Sequence, residues 1–180
     1  MAPSPAIYQL KITLLGVTPQ VWRRVLVPAD VTLDVVHAVI QTAMGWTDKH
    51  LHEFAVGDDL YGPADEEDDE TVDESTVRLF TVAGEGDQLR YVYDFGDDWR
   101  HDVIVEKVLA PEPGAQYPWC LTGRQACPPE DVGGPSGYAD LLAVLADSTH
   151  PEHAEAREWA GQLQATFDLN ATNEALEPRR

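Results

Sequence analysis

The chain has 180 residues, 32 acidic and 12 basic, for a formal net charge of -20, and 43% of it is hydrophobic. That length holds one well-buried domain, and the apolar fraction is that of a globular protein. The charge argues against a direct grip on nucleic-acid phosphates, which needs clustered Lys and Arg, and against an anionic membrane surface.

Met1-Ala2-Pro3-Ser4-Pro5 offers neither a basic n-region nor an apolar h-region. The longest apolar run, Ala139 to Ala146, is broken by Asp140. A bilayer span needs about 20 apolar residues, so none is expected. The expectation is a cytoplasmic protein whose two cysteines, Cys120 and Cys127, are reduced.

In chain order, Tyr8 to Val17 and Val21 to Val27 alternate and are rich in branched residues, which predicts an opening β-hairpin stopped by Pro28. Thr32 reads as an N-cap. Leu33, Val36, Ile40 and Met44, with His37 on the same stripe, predict a helix over 32–44 ending at Gly45. His50 to Gly57 reads as a short strand. Between Asp58 and Glu74 lie ten acidic residues and no Lys or Arg, which predicts a solvated loop without EF-hand spacing.

A helical turn is predicted over 77–83. Asp87 to Phe95 and Trp99 to Leu109 then form the best strand pair. A turn at Gly96-Asp97-Asp98 would pair Phe95 with Trp99 and Tyr93 with His101, and set Asp94 opposite Arg100. That register collects Tyr91, Tyr93, Phe95, Trp99 and Val103 on one face, each contributing about 1.5–3 kcal/mol when fully buried. It makes His101 a core histidine; a register one residue shorter would instead group it with Asp94. Residues 110–137, rich in Pro and Gly, read as a long loop. Ser136 is expected to cap a helix carrying Leu141, Leu142, Val144 and Leu145. Pro151 is expected to start another with Trp159, Leu163 and Phe167 on its apolar face. Residues 169–180 read as a loose tail after a single domain over 1–168.

The candidates for chemistry are few. His50 and His52 share a face if their segment is extended, and with Cys120 and Cys127 they would supply a four-ligand zinc set. The six residues between the cysteines do not fit a zinc finger, and two buried free thiols are the plainer reading. Asp94, Asp97, Asp98, His101 and Glu130 are the candidate catalytic groups. Glu130-Asp131 before Gly133-Gly134 also reads as an acidic turn closing the loop. Arg23 and Arg24, on opposite faces of a strand, are expected to pair with carboxylates. Dinucleotide loop, P-loop, nucleophile-elbow and H-E-x-x-H patterns are absent.

Several segments in order carry a resemblance. They are Gln20-Val21-Trp22-Arg23-Arg24, Thr32-Leu33 with His37, Gly45-Trp46, His50-Leu51-His52-Glu53-Phe54 and Tyr61-Gly62. Tyr93-Asp94-Phe95-Gly96-Asp97-Asp98-Trp99 with His101 follows, then Cys127-Pro128-Pro129-Glu130-Asp131 with Gly133-Gly134 and Gly137-Tyr138. Across about residues 6–168 the sequence resembles the plasmid pRiA4b ORF-3-like family. The resemblance implies an α+β domain, a mixed and mostly antiparallel sheet with helices packed on it, and an association with plasmids and mobile elements. It makes the acidic 58–74 stretch a variable region. Val132 stands where many relatives carry a further Cys, so a site needing a third thiolate is not supported. Some members carry a resolvase-like label, which the charge of this chain opposes. The family brings no activity with it. Two functions are therefore expected: a non-catalytic module that binds a protein partner, or a metal-dependent hydrolase drawing on His50, His52, Asp94, Asp97, Asp98, His101 and Glu130.

Overall fold

The structure, a computed structural model, describes residues 6–65, 70–161 and 166–177. The opening hairpin forms as expected: β1 (Ile7–Leu14) pairs antiparallel with β2 (Trp22–Pro28). The helix α1 (Leu33–Met44) follows and stops at Gly45, whose φ of 87° suits glycine and whose N–H bonds the Gln41 and Thr42 carbonyls. Thr32 occupies the N-cap, but its hydroxyl meets the Asp34 carboxylate instead of a backbone amide.

β3 (His52–Val56) and β4 (Asp59–Gly62) form a second hairpin, and β5 (Thr71–Asp73) runs parallel to β4. The acidic stretch is therefore structured outside 66–69, which lie beyond the described residues. A 3₁₀ turn, Glu74–Thr76, and a single-turn helix, α2 (Leu79–Val82), lead to β6 (Gln88–Tyr93) and β7 (Trp99–Leu109). Within 110–137, expected to be loop, a further strand β8 (Trp119–Arg124) adds to β2. It is short and set among Pro and Gly, so its alternation was masked by composition.

The eight strands form one sheet in the order β5-β4-β3-β6-β7-β1-β2-β8, antiparallel except at β4–β5. One face carries Leu10, Ile12, Leu14, Val25, Leu89, Tyr91, Tyr93, Trp99 and Val103. These share one buried cluster with Leu33, Val36, Ile40 and Met44 of α1. The alternation that turns Lys11, Arg24 and Arg100 to the other face places their neighbours in that core. This is the expected α+β domain.

The C-terminal part departs from expectation. The helix α3 (Gly134–Ala146) begins at Gly134, so Ser136 lies inside it and Gly133, at φ 90°, is the N-cap. It packs on α4 (His153–Ala160), leaving Leu141 and Leu145 half-buried and Trp159 37% exposed, not in the main core. Leu163 lies outside the described residues. Phe167 lies before the last helix, α5 (Leu169–Leu176), which replaces the expected loose tail. Asp168 caps it by accepting from Asn170 and Ala171 N–H. Asn173 accepts from Cys120 N–H at 2.7 Å and donates to Cys120 C=O at 3.0 Å, so a side-chain amide completes the pairing of β8. That pairing, with Leu176 buried, is why the tail is held.

Candidate functional site

The segment from Trp46 to His52 is the junction of the molecule. Leaving α1, it contacts the 127–134 loop, the β6–β7 turn and the 3₁₀ turn at Glu74. Trp46 Nε1 donates to Pro128 C=O at 2.9 Å, and its ring stacks on Tyr93. Thr47 donates to Glu130 through its hydroxyl at 2.6 Å and its N–H at 3.2 Å. Lys49 N–H donates to the Tyr93 hydroxyl, which donates to Glu130 at 2.6 Å. Burial and that Glu130 contact push the Tyr93 phenol up, so it remains a donor. Burial works against ionised Glu130, but the bonds from Thr47 and Tyr93 outweigh it and hold the carboxyl below its ordinary range.

Behind this junction His37 and His52 stack with centroids 3.4 Å apart and planes 6° from parallel. His37 Nδ1 lies 2.8 Å from the Tyr91 hydroxyl, which also accepts from Gln41 Nε2 at 2.9 Å. Since burial drives the Tyr91 phenol far up, it donates to His37 Nδ1, and His37 Nε2–H donates to Asp48 at 2.9 Å. Burial first, then the His52 ring, pull the His37 pKa down, so the ring stays neutral. His52 Nε2 faces both oxygens of buried Glu74 at 2.9 Å. His37, Asp48 and His52 bring potential ligand atoms within 4.8 Å of one another. The stacked rings, however, hold their lone pairs in parallel planes, which do not converge on one ion. The two buried histidines instead belong to hydrogen-bond networks, His37 with Tyr91 and exposed Asp48, and His52 with Glu74.

A different set forms at the surface. His50 Nε2 lies 2.9 Å from Asp131 Oδ1 and 3.5 Å from Asp94 Oδ2. Asp94 sits in the β6–β7 turn at φ 59°, its Oδ1 accepting from Gly96 and Asp97 N–H at 3.0 and 3.2 Å. This side-chain turn corrects the expected register. Tyr93 pairs with Trp99 and Tyr91 with His101, and the turn spans 94–98. The shift is by an even number of residues, so the aromatic face survives, but Phe95 is left outside, 56% exposed. Val92, not Asp94, stands opposite Arg100.

The other candidate residues have mostly structural tasks. Asp97 Oδ2 accepts from Gly133 N–H at 3.1 Å, and a Cβ on Gly134 would overlap the Asp97 carbonyl oxygen. The Gly133-Gly134 pair thus lets the 127–134 loop lie against the turn. Asp98 pairs with Arg100 at 2.8 Å in the open. His101 is in the core as expected, its Nδ1 against Trp99 C=O at 3.0 Å, and burial pulls its pKa down to about 4. Cys120 is buried under α5, and burial raises both thiols. Among the described residues no group of potential metal ligands includes a cysteine. The predicted His50–His52–Cys120–Cys127 set is therefore not assembled, because β8 carries Cys120 to the sheet edge opposite β3–β5.

Arg24 meets the expectation, gripping Glu106 through Nε at 2.6 Å and a second nitrogen at 2.8 Å. Arg23 does not. It is buried, donates to the Ala43, Trp22 and Arg124 carbonyls and stacks 4.1 Å from the Phe167 ring. Through Ala43 it serves one carbonyl of the last turn of α1, where a cation is favoured. A sequence reading had no signal for this, since both arginines look alike on an alternating strand.

A cavity of about 210 Å³ opens beside the turn, with Leu51, His52, Glu53, Asp65, Thr71 and Phe95 among its walls. Leu51, 64% exposed, and Phe95 put apolar surface at its mouth. Among the described residues no helix is long and apolar enough to cross a membrane.

Proteins similar to this chain are known in sequence and in structure. An uncharacterized protein of Sinorhizobium fredii (strain NBRC 101917 / NGR234), y4hQ, is 42% identical over 171 residues, covering 93% of this chain and 87% of that protein. The crystal structure of MM3350, a protein of unknown function from Methanosarcina mazei Go1, superposes with a TM-score of 0.86 at 37% identity. It covers 92% of this chain and 96% of that one. Residues 6–175 match the family described as plasmid pRiA4b ORF-3-like protein, and with this fold, these motifs and these relatives the chain belongs to that family.

Proposed function

We propose that this protein is a non-catalytic interaction module that holds a Lys- or Arg-bearing segment of a protein partner in the cavity between Phe95 and the β4–β5 strands. The observation that carries the reading is the pairing, in one cavity, of exposed Phe95 and Leu51 with the carboxylates of Glu53 and Asp65. A cationic side chain gains from an aromatic face and from nearby carboxylates, and a net charge of -20 steers basic partners toward it. The hydrolase alternative draws less support. Asp97, Glu130 and His101 are committed to internal contacts, and Asp98 to a surface ion pair. The family's description names a plasmid reading frame, so a basic protein carried on the same mobile element is the first partner to try.

The test is binding of the full chain to an array of Lys- and Arg-containing peptides, with composition-matched acidic and neutral controls. Basic peptides are expected to bind, with affinity falling as salt rises and about 10-fold or more in Phe95→Ala and Glu53→Gln. Equal binding of neutral peptides, or none at low salt, overturns the reading.

A further inference from the structure

We propose that His50, Asp94 and Asp131 form a binding site for one divalent first-row transition-metal ion. Its ligand atoms lie within 4.8 Å of one another. The His50 Nε2 distances of 2.9 and 3.5 Å to the two carboxylates match a shared ion. Two ligands about 2.1 Å from a metal, set between right-angled and tetrahedral, stand about 3.0–3.4 Å apart.

A second observation separates this from an ordinary surface ion pair. His50 Nε2 is itself buried, yet it has no hydrogen-bond partner despite the two nearby carboxylates. The nitrogen thus stands within reach of two carboxylate oxygens without forming a hydrogen bond to either. Buried nitrogens without partners are uncommon and need a reason. The supporting contacts are those of a ligand set. Asp94 Oδ1 is occupied by the Gly96 and Asp97 amides, which turns Oδ2 toward His50. The His50 ring lies edge-on to Tyr93. Such outer contacts orient metal ligands. Asp131 remains 63% exposed at its side chain, giving an ion a route in from solvent.

One imidazole and two carboxylates suit zinc, manganese or cobalt. Calcium prefers an all-oxygen shell, and thiolate-seeking ions find no cysteine here. The three ligands come from the α1–β3 connection, the β6–β7 turn and the loop before α3, so a bound ion would tie three segments at one point. The site is separate from the Phe95 cavity reading and does not rest on it.

Zinc is the probe. Tag-free full chain, stripped with chelator, is titrated calorimetrically with Zn²⁺. One equivalent is expected to bind. His50→Gln and Asp131→Asn, each on an accessible segment, are expected to weaken it about 10-fold or more without changing the circular dichroism spectrum. His37→Gln and Cys120→Ser/Cys127→Ser should leave the affinity unchanged. Unaltered affinity in the first two variants, dependence on His37, the cysteines or the half-buried His150 and His153, or no saturable zinc below millimolar concentration overturns the proposal. Peptide binding by Phe95 in metal-free buffer reports on the interaction reading alone, so failure of one is distinguishable from failure of the other.

Discussion

His101 shows what burial does to one side chain. Its pKa is about 4 in the fold, against about 6.5 when unfolded. Between those values the unfolded chain binds more protons, so stability is full above about pH 6.5 and is lost as the pH falls toward 4. The whole loss from this group is about 3 kcal/mol. His101→Phe should flatten this slope while costing about 1 kcal/mol at neutral pH for the lost bond to Trp99 C=O. Urea melts at several pH values check both. A slope unchanged by the substitution would mean the acid sensitivity lies elsewhere. Gly134 is the second test at this scale. Its φ of 68° and its packing on the Asp97 carbonyl leave no room for a methyl group, so Gly134→Ala should cost about 2–4 kcal/mol in chemical denaturation. Phe95→Ser, by contrast, removes an exposed ring and should change stability by no more than about 0.5 kcal/mol.

Among the elements, α5 is the piece whose role only packing reveals. Asn173 supplies both hydrogen bonds to Cys120, so Asn173→Ala leaves a buried N–H and C=O without partners. The expected cost is about 2–4 kcal/mol, read from the denaturation midpoint, and β8 amides should exchange faster with solvent. An undisturbed midpoint would show that water replaces the amide at no cost. The β6–β7 hairpin makes the related point about register. Alternation predicted which strand residues share the buried face, and Tyr91, Tyr93, Trp99, His101 and Val103 do share it, whereas Phe95, expected beside them, falls in the turn and is exposed. Turn length was not legible in that pattern, because a shift by two residues keeps every side chain on its face. The Asp94 side chain, by accepting two amides, decided it.

At the scale of the whole molecule the charge of -20 repels itself, and folding concentrates it. Adding sodium chloride from a few millimolar to physiological strength should therefore raise the melting temperature, and scanning calorimetry reads the shift directly. A melting temperature that fell would mean that attractive pairs such as Arg24–Glu106 outweigh the net repulsion.

The sequence alone determined the class of fold, the opening hairpin, α1 and its glycine stop, the two long strands and the family. Each is written in a local period or a contiguous motif, which needs no knowledge of what lies across the core. The tertiary structure decided the rest. It parted His50 from His52 into separate polar groups, sent Cys120 to the far edge of the sheet, buried Arg23 against carbonyls and closed β8 with a helix from the tail. Those outcomes depend on which backbone groups lack partners and which side chains can reach them, and such contacts join residues far apart in the chain. Asn173 and Cys120, 53 positions apart, meet only in the folded chain, where α5 lies against β8.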